Sequence, residues 1–333
     1  MAKHAQRVHL SPTHWVWIAI GLSASFVLGF GVSRYAGGGA IADDPIALRD
    51  TSDVYQYIEP LLACGIGDNK NFAEYSALKD SVNGIITSEK SAGKAQDVSV
   101  YFRDLNSGKW MGIGQNDMYA PASLDKITLL MAYLKEADKN PSVLDRSYVF
   151  PGTRAAGTPD YTPMTVGKSY TVRELLQRLI VNSDNDAKDM LHEHIDQGLV
   201  NDVFSDLGLS APALSDRGDS MSAKSYSLFF RTLYNGTYLS RDNSELALQM
   251  LTEVIFKDGL TAGLPANVTV AHKFGYRVFN PPVSGVSAEL HDCGIVYNGP
   301  KPYFICVMTK GRNYQDLASV IQDISKYIYQ AQK

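Results

Sequence analysis

A serine followed three residues later by a lysine can support covalent catalysis, because the spacing places both side chains on one face of a helix. The pattern occurs at three places in this 333-residue chain: Ser76 and Lys79, Ser91 and Lys94, and Ser123 and Lys126. The first pair lies in an ordinary amphipathic helix pattern and the second at a glycine-containing junction, which is typical of solvent-exposed pairs. Only Ser123 follows Pro121-Ala122 and opens a strongly apolar helical pattern.

A serine at the start of a helix has the means for nucleophilic chemistry. The first turn of a helix offers unpaired backbone N–H groups and the positive end of the helix dipole. A Lys126 amine that burial keeps partly neutral can take the proton of Ser123, while the backbone N–H of Ser123 helps to bind the oxyanion. We therefore predict Ser123 as the nucleophile and Lys126 as its base.

Ser183-Asp184-Asn185 is a second polar motif, and it occurs once in the chain. It lies where the apolar helix pattern of residues 175–181 ends and another helix begins. Serine, aspartate and asparagine are also preferred helix caps, so a cap explains the motif as well as a catalytic role does.

A third motif is Lys273 followed by Gly275, inside a β-branched strand pattern at residues 269–279. A glycine within a strand indicates close approach of another backbone, such as that of a substrate lying along the sheet edge. A solvated lysine on a strand edge is the alternative interpretation. The similar pair Lys257 and Gly259 is better explained as the C terminus of a helix.

Taken in order, Ser-x-x-Lys, Ser-Asp-Asn and Lys-x-Gly resemble the signature motifs of class A β-lactamases and penicillin-binding proteins. The resemblance covers roughly residues 72–333 and includes two further stretches, Thr171-Val172-Arg173-Glu174-Leu175-Leu176 and Gly263-Leu264-Pro265. It implies an α/β fold of the α+β kind, with a five-stranded antiparallel sheet flanked by helices and an all-helical subdomain. The active site is expected at their junction.

The resemblance also implies a role for each motif residue. Ser123 would be acylated with Lys126 as its base, and Ser183 would relay the proton to the leaving nitrogen. Asn185 would hold the substrate amide and help to position Lys126. Lys273 would supply positive charge for Ser183 and for a substrate carboxylate. No metal and no organic cofactor is implied.

The strand that carries the third motif completes the expected substrate site. The oxyanion hole would combine the backbone N–H groups of Ser123 and Tyr276, and Gly275 would lie against the substrate. Phe274 stands where the resembled families have a hydroxyl residue, which removes one donor to a substrate carboxylate. Arg277, nearby on the strand, is the candidate to compensate.

The glutamate loop of class A β-lactamases has no counterpart in this sequence. Those enzymes carry Glu-x-x-Leu-Asn between the second and third motifs, and its glutamate activates the water that releases the acyl group. Between Leu207 and Ser222 the only carboxylates are Asp216 and Asp219, which are candidate bases, although turn residues are the simpler interpretation. Acylation is therefore better supported by the sequence than deacylation.

Two other functions stay open at this point. A D,D-peptidase or transpeptidase acting on cell-wall stem peptides shares the acylation chemistry, and a penicillin-binding sensor would be acylated once without turnover. An α/β-hydrolase triad is disfavoured because no Gly-x-Ser-x-Gly stretch exists. His192 and His194 do not form a zinc pair, because residues two apart on a helix do not face one another. His272 and His291-Asp292 are interpreted as structural.

Strands at both ends of the domain, with helices between them, must position these motifs. Strand patterns predict one sheet completed by non-local pairing, at residues 98–105, 109–114, 269–279, 290–297 and 303–309. Helical patterns occur at residues 72–90, 123–136, 171–181, 184–194, 222–234, 243–257 and 314–332. Thr171 and Glu174 have the spacing of a capping box.

The first residues carry a different signal. Eighteen residues without a charge, 15–32, are enough to cross a bilayer and are flanked by basic residues. We predict a cytoplasmic tail at 1–14, a transmembrane anchor or signal segment at 15–32, a linker and extension at 33–70, and a hydrolase domain at 71–333 outside the cytoplasm. A cleaved signal peptide near Ala40-Ile41-Ala42, which would release the domain, is the alternative.

Composition narrows the partners. A chain that is 45% hydrophobic and 20% charged is ordinary for a globular protein, and a net charge of −4 gives no basic field for nucleic acid. The expected partner is a small β-lactam or a peptidoglycan stem peptide. The three cysteines, Cys64, Cys293 and Cys306, lack metal-ligand spacing. A cross-strand disulfide between the last two and a pair of buried thiols both stay open.

Overall fold

The computed structural model describes residues 48–49, 55–63, 73–152, 163–211 and 220–333, all within one compact unit, Pro45–Lys333. The strands within these ranges are β1 (Leu48–Arg49), β2 (Leu61–Ala63), β3 (Asp97–Asp104), β4 (Trp110–Ile113), β5 (Ser147–Val149), β6 (Ser169–Thr171), β7 (Thr269–Val283), β8 (Val286–Tyr297) and β9 (Tyr303–Gly311). The α-helices are α1 (Ser76–Ser91), α2 (Lys126–Lys139), α3 (Val172–Val181), α4 (Asn185–His194), α5 (Gln197–Asp206), α6 (Ala223–Tyr234), α7 (Arg241–Thr252) and α8 (Tyr314–Ala331).

Five antiparallel strands form the central sheet, in the order β4-β3-β9-β8-β7. An early strand therefore pairs with the last one: β3 lies beside β9, with Val100 opposite Val307. The predicted fold class, an α/β fold with a five-stranded antiparallel sheet flanked by helices, is confirmed. β7, which carries Lys273, is an edge strand with one neighbour in this sheet.

The β7–β8 hairpin is longer than the sequence patterns predicted. β7 continues past residue 279 through Pro281-Pro282, which an edge strand tolerates because its outer side needs no ladder donor. Ser284 and Gly285 form the tip, with φ angles of 51° and 80°. Two successive left-handed residues are typical of a tight hairpin turn, whose twist matches that of the strands.

Alternation along the strands builds a core on each face of the sheet. Val100 and Phe102 of β3 pack in one cluster with Ile321 and Ile324 of α8. Tyr101, between them in sequence, packs in the other cluster, with the helical subdomain. Because successive side chains point to opposite faces, a strand buried on both sides contributes to both cores.

The helix α2, which directly follows Ser123, is the central helix of the helical subdomain. Every residue from Lys126 to Leu134 is buried, in agreement with the strongly apolar pattern. The helix contacts α3, α4, α5 and α7. α3 begins with the predicted capping box, in which Thr171 Oγ1 accepts from the Glu174 N–H and the Glu174 carboxylate accepts from the Thr171 N–H.

One predicted helix end is wrong. The helix expected at residues 243–257 is α7, which ends at Thr252. Lys257 and Gly259 therefore lie beyond the helix and do not form its C terminus. Gly259 is required for another reason, since a Cβ at this position would collide with the buried carboxylate of Asp292.

The two late cysteines are joined in the structure. Cys293 of β8 and Cys306 of β9 face each other directly, and a disulfide links them with their Cα atoms 3.9 Å apart. Both side chains are buried on the face of the sheet that packs against the helical subdomain. Of the two possibilities left open by the sequence, the cross-strand disulfide is the one found.

One carboxylate on α7 holds the segment 55–60. Glu245 accepts hydrogen bonds from the backbone N–H groups of Gln56, Tyr57 and Ile58, at 2.7–3.0 Å. Ile58 is buried in the core shared with the helical subdomain. Three backbone donors converge on this one side chain, and further hydrogen bonds join Glu59 to Tyr234 and Tyr57 to Tyr297. Since hydrogen bonds to a carboxylate are strong, Glu245 contributes a large share of the attachment of the segment to the domain.

We expect Glu245→Gln to lower the free energy of unfolding by about 1.5–3 kcal/mol, because an amide offers one acceptor oxygen and turns its NH2 group toward N–H donors. Urea denaturation measures the loss, and limited proteolysis should show faster cleavage within residues 55–60. Asp202→Asn on the exposed side of α5 is the matched control and should change neither. An unaltered free energy and cleavage rate in Glu245→Gln would contradict the assignment.

The predicted membrane-anchored, extracytoplasmic localisation is contradicted by the structure. Across the described ranges, no helix has the length and apolar character needed to cross a membrane. The longest of these helices, α8, has 18 residues and includes Asp316 and Asp323. The anchor predicted at residues 15–32 and the tail at 1–14 lie outside the described residues.

Candidate active site

The predicted nucleophile, Ser123, lies in a 3-10 turn, Ala122–Asp125, that leads directly into α2. Ala122 has a positive φ of 49°. Such a conformation costs a non-glycine residue about 1–3 kcal/mol and is concentrated at functional sites. Ser123 is partly exposed and Leu124 is buried. The turn therefore keeps the serine accessible at the start of a helix that is otherwise buried.

Two side chains from distant parts of the chain bind carbonyl groups of this turn and of the segment just before it. The Tyr226 hydroxyl donates to Leu124 O at 3.1 Å, and His291 Nε2 donates to Ala120 O at 3.0 Å. The backbone N–H of Thr309 donates to His291 Nδ1, so the ring is held as the neutral Nε2–H tautomer. His291 therefore positions the turn through its backbone, which agrees with the interpretation of this histidine as structural.

The amine of Lys126 lies among oxygen acceptors from the second motif. Nζ is 2.7 Å from Asn185 Oδ1 and 3.1 Å from Ser183 Oγ, and it also donates to the carbonyl group of Ser183. The side chain is 1% exposed. The structure thus brings the predicted base together with two of the three residues of the serine triplet.

The third member of the triplet orients the other two. Asp184 is the N-cap of α4, where it accepts two backbone N–H groups, and its second oxygen accepts from Arg178 Nε at 2.9 Å. Ser183 has a positive φ of 54°. The cap interpretation is confirmed, since Asp184 caps the helix, while the contacts of Ser183 and Asn185 with Lys126 leave the catalytic role a prediction.

Lys273 reaches the same hydroxyl from the sheet. Its Nζ lies 2.9 Å from Ser183 Oγ and 3.1 Å from the carbonyl oxygen of Phe274. The side chain has 0% exposure, so the alternative of a solvated edge lysine is excluded. Ser183 Oγ consequently lies between two buried amines, those of Lys126 and Lys273.

Burial shifts the titration of both lysines. It lowers the pKa of Lys126 to about 7, although the Asp125 carboxylate raises that pKa, and the Lys188 ammonium lowers it further. Burial, followed by the charge of Lys126, lowers the pKa of Lys273 well below its ordinary value. Two ammonium groups that share one hydroxyl repel each other, so the pair carries fewer than two charges at neutral pH.

Gly275 allows the sheet edge to approach the turn that carries Ser123. A Cβ at this position would lie 2.5 Å from the carbonyl oxygen of Pro121 and 3.2 Å from the backbone nitrogen of Leu124. Only glycine permits such proximity. The close backbone that this glycine indicated is therefore the turn that carries Ser123.

The neighbours of Gly275 on β7 point to opposite faces of the strand. On one face, the Arg277 guanidinium lies 4.5 Å from the ring centre of Phe279. On the other face, Phe274 stacks on Phe256 with ring centres 4.1 Å apart, and the Tyr276 side chain is 39% exposed.

Comparison with known proteins places the chain in a family. A family model described as the beta-lactamase enzyme family matches residues 77–332, a range that includes all three motifs. The chain belongs to the beta-lactamase enzyme family. It is 28% identical to a beta-lactamase of Bacteroides uniformis over 238 residues, 63% of this chain and 78% of that protein. It is 29% identical to Beta-lactamase L2 of Stenotrophomonas maltophilia over 135 residues, 40% of this chain and 43% of that protein.

Solved structures show the same fold. A mutant of PBP-A, solved as an acyl-enzyme complex with penicillin G, is 23% identical with a TM-score of 0.63, and the similarity covers 76% of this chain and 96% of that chain. A beta-lactamase from Chitinophaga pinensis is 22% identical with a TM-score of 0.66, covering 78% of this chain and 100% of that chain. The predicted β-lactamase-type fold and the recognised family are both confirmed.

Some contacts of this β-lactamase-family site left little trace in the sequence. Arg178 precedes Asp184 by six positions, and that proximity of opposite charges is the one local signal for their ion pair. Nothing in the sequence separates Tyr226 from the other buried aromatics of α6. The candidate deacylation bases, Asp216 and Asp219, lie outside the described residues.

We expect Gly275→Ala to slow acylation by a penicillin by about 100-fold, because the added Cβ displaces the Ser123 turn and misplacing a catalytic group by about 1 Å has that effect. Stopped-flow measurement of adduct formation gives the rate. Gly84→Ala is the matched control, since a Cβ on this α1 residue meets no atom within 4 Å. Equal rates in the two variants would show that β7 and the turn are not in close contact.

Proposed function

We propose that this protein is a serine hydrolase of the class A type that opens β-lactams through an acyl-enzyme on Ser123. The observation that carries the proposal is the buried Lys126 amine, three residues after Ser123 and in contact with Ser183 and Asn185. A base with a pKa of about 7 is substantially neutral at physiological pH, which general-base catalysis requires. Family membership and the order of the three motifs support the same activity.

Acylation begins when Lys126 accepts the proton of Ser123 Oγ and this oxygen attacks the β-lactam carbonyl carbon. A neutral amine has two N–H bonds, and the Ser183 carbonyl and Asn185 Oδ1 accept them. The lone pair of Lys126 is then left for the hydroxyl proton. The backbone N–H groups of Ser123 and Tyr276 would stabilise the oxyanion as the carbonyl π electrons move onto oxygen.

Ring opening needs a proton for the departing nitrogen. The Ser183 hydroxyl contacts both amines, at 3.1 Å from Lys126 and 2.9 Å from Lys273, so it can donate its proton to nitrogen and be reprotonated by Lys126. As the C–N bond breaks, the serine ester forms and Lys126 returns to its neutral state. Lys273 stabilises the transient negative charge on Ser183, and Asn185 would also hold the substrate amide.

Release of the acyl group separates the possible activities within this family. A β-lactamase needs a base for the deacylating water, and Asp216 and Asp219 are the candidates from the sequence. The absence of Glu-x-x-Leu-Asn favours a second candidate function, a penicillin-binding D,D-peptidase or transpeptidase, in which the β-lactam adduct persists. The lifetime of the adduct decides between a turnover enzyme and a penicillin-binding protein.

Intact-mass spectrometry tests acylation directly. Benzylpenicillin should add its whole mass to the wild-type chain, because ring opening loses no atoms, and should add nothing to Ser123→Ala. Ser76→Ala and Ser91→Ala remove the serines of the other two Ser-x-x-Lys patterns and should be labelled like the wild type. An adduct on Ser123→Ala, or none on the wild type, would contradict the proposed nucleophile. A time course reports whether the adduct persists.

The acylation rate constant should rise with pH around a midpoint near 7, because only the neutral form of Lys126 accepts a proton. Single-turnover measurements from about pH 5 to about pH 9 give the profile. Lys188→Gln should move the midpoint upward, since it removes a charge that lowers the pKa of Lys126 and frees Asp125, 3.3 Å from Lys188, to raise it. A flat profile, or a downward shift in Lys188→Gln, would exclude Lys126 as the base.

A further inference from the structure

Four aromatic side chains line one face of the edge strand β7, and the ring centre of one of them, Phe274, lies 4.3 Å from the Lys273 amine. Phe274 stacks on Phe256, and the ring of Tyr276 meets that of Tyr314 edge to face, with centres 5.2 Å apart. We call these four residues the aromatic wall. Tyr276 is 39% exposed and Phe274 is 9% exposed, so Tyr276 forms the accessible part and Phe274 its base.

The aromatic wall occupies a place where the resembled families bind an anion. Phe274 stands between Lys273 and Gly275, where those families have a hydroxyl group that donates to the substrate carboxylate. A phenyl ring has no O–H to donate. The Lys273 amine is directed at Ser183 Oγ and the Phe274 carbonyl, and it lies 4.3 Å from the Phe274 ring centre.

Arg277 does not share the face of the aromatic wall. Because side chains alternate along a strand, Phe274 and Tyr276 point to one side and Arg277 to the other, over the Phe279 ring. The wall itself is next to a negative charge, since the Tyr314 hydroxyl donates to the Asp258 carboxylate at 2.6 Å. An incoming carboxylate would meet aromatic carbon and this acidic group.

We propose that the subsite beside the scissile nitrogen binds an uncharged apolar or aromatic group rather than a carboxylate. The substrates are then acyl donors whose group at this position is neutral, such as an ester, and which pack against Tyr276. The inference rests on the proposed function, because it concerns acylation of the same Ser123.

Benzylpenicillin and its methyl ester form a matched pair of probes, because the ester differs by one methyl group, which removes the charge at this subsite. The wild-type protein should be acylated by the ester at least as fast as by the acid, measured by stopped-flow and by intact mass. The ratio of the two rate constants is the readout. Partial unfolding of a variant lowers both rates equally and cancels in the ratio.

Two substitutions at one position separate hydroxyl donation from loss of stacking. Phe274→Thr introduces a donor and should raise the acid-to-ester ratio by about tenfold, the discrimination that one charge-assisted hydrogen bond supplies. Phe274→Leu removes the ring without adding a donor and should leave the ratio near that of the wild type. Arg277→Gln should leave the ratio unchanged as well.

A wild-type preference for the acid overturns the inference, as do equal ratios in Phe274→Thr and Phe274→Leu. A fall in the ratio for Arg277→Gln also overturns it, because Arg277 would then hold the carboxylate. If Ser123 is acylated by neither compound, the proposed function itself fails and the inference fails with it. Acylation by both compounds with the wrong ratio rejects the inference alone.

Discussion

The shared contact of two buried amines with one hydroxyl is the interaction on which the site depends. Lys126 at the start of α2 and Lys273 on β7 both lie within hydrogen-bond distance of Ser183 Oγ, away from water. Holding two ammonium ions in that arrangement is unfavourable, so folding itself favours a neutral amine. A lysine in water stays protonated at neutral pH, whereas burial and mutual repulsion in this pair favour a neutral amine, the form that can accept a proton.

Residues with strained backbone conformations lie close to this contact, and interactions with the rest of the domain hold them in place. Ala122 and Ser183 both have positive φ angles, and each lies next to or within a proposed catalytic motif. The Ser123 turn is held by side chains from α6 and β8, and the serine triplet by the ion pair between Arg178 and Asp184. Strained residues persist only where surrounding contacts determine their geometry, and these contacts do so.

The predictions that the structure confirmed rested on short-range sequence patterns. Periodicity and the order of three motifs were sufficient for the sheet, the helical subdomain and the family. The wrong helix end arose where a distant residue decides the outcome. The sequence pattern at Gly259 predicted a helix end, because the group that actually excludes a side chain there, the Asp292 carboxylate, lies on another element. The specific contact of His291 with Ala120 could not be predicted either, because it spans 171 positions and leaves no local pattern.

The pairing of β3 with β9 has a consequence for how the domain is made. Val100 and Val307 are neighbours in the sheet although most of the domain separates them in sequence, so the fold has a high contact order. Closing such long loops is slow, because their entropy is lost before the contacts form. During synthesis Ser123 emerges long before β9 completes the sheet that supports Lys273. A nascent chain therefore holds the proposed nucleophile before the groups that would activate it are in place.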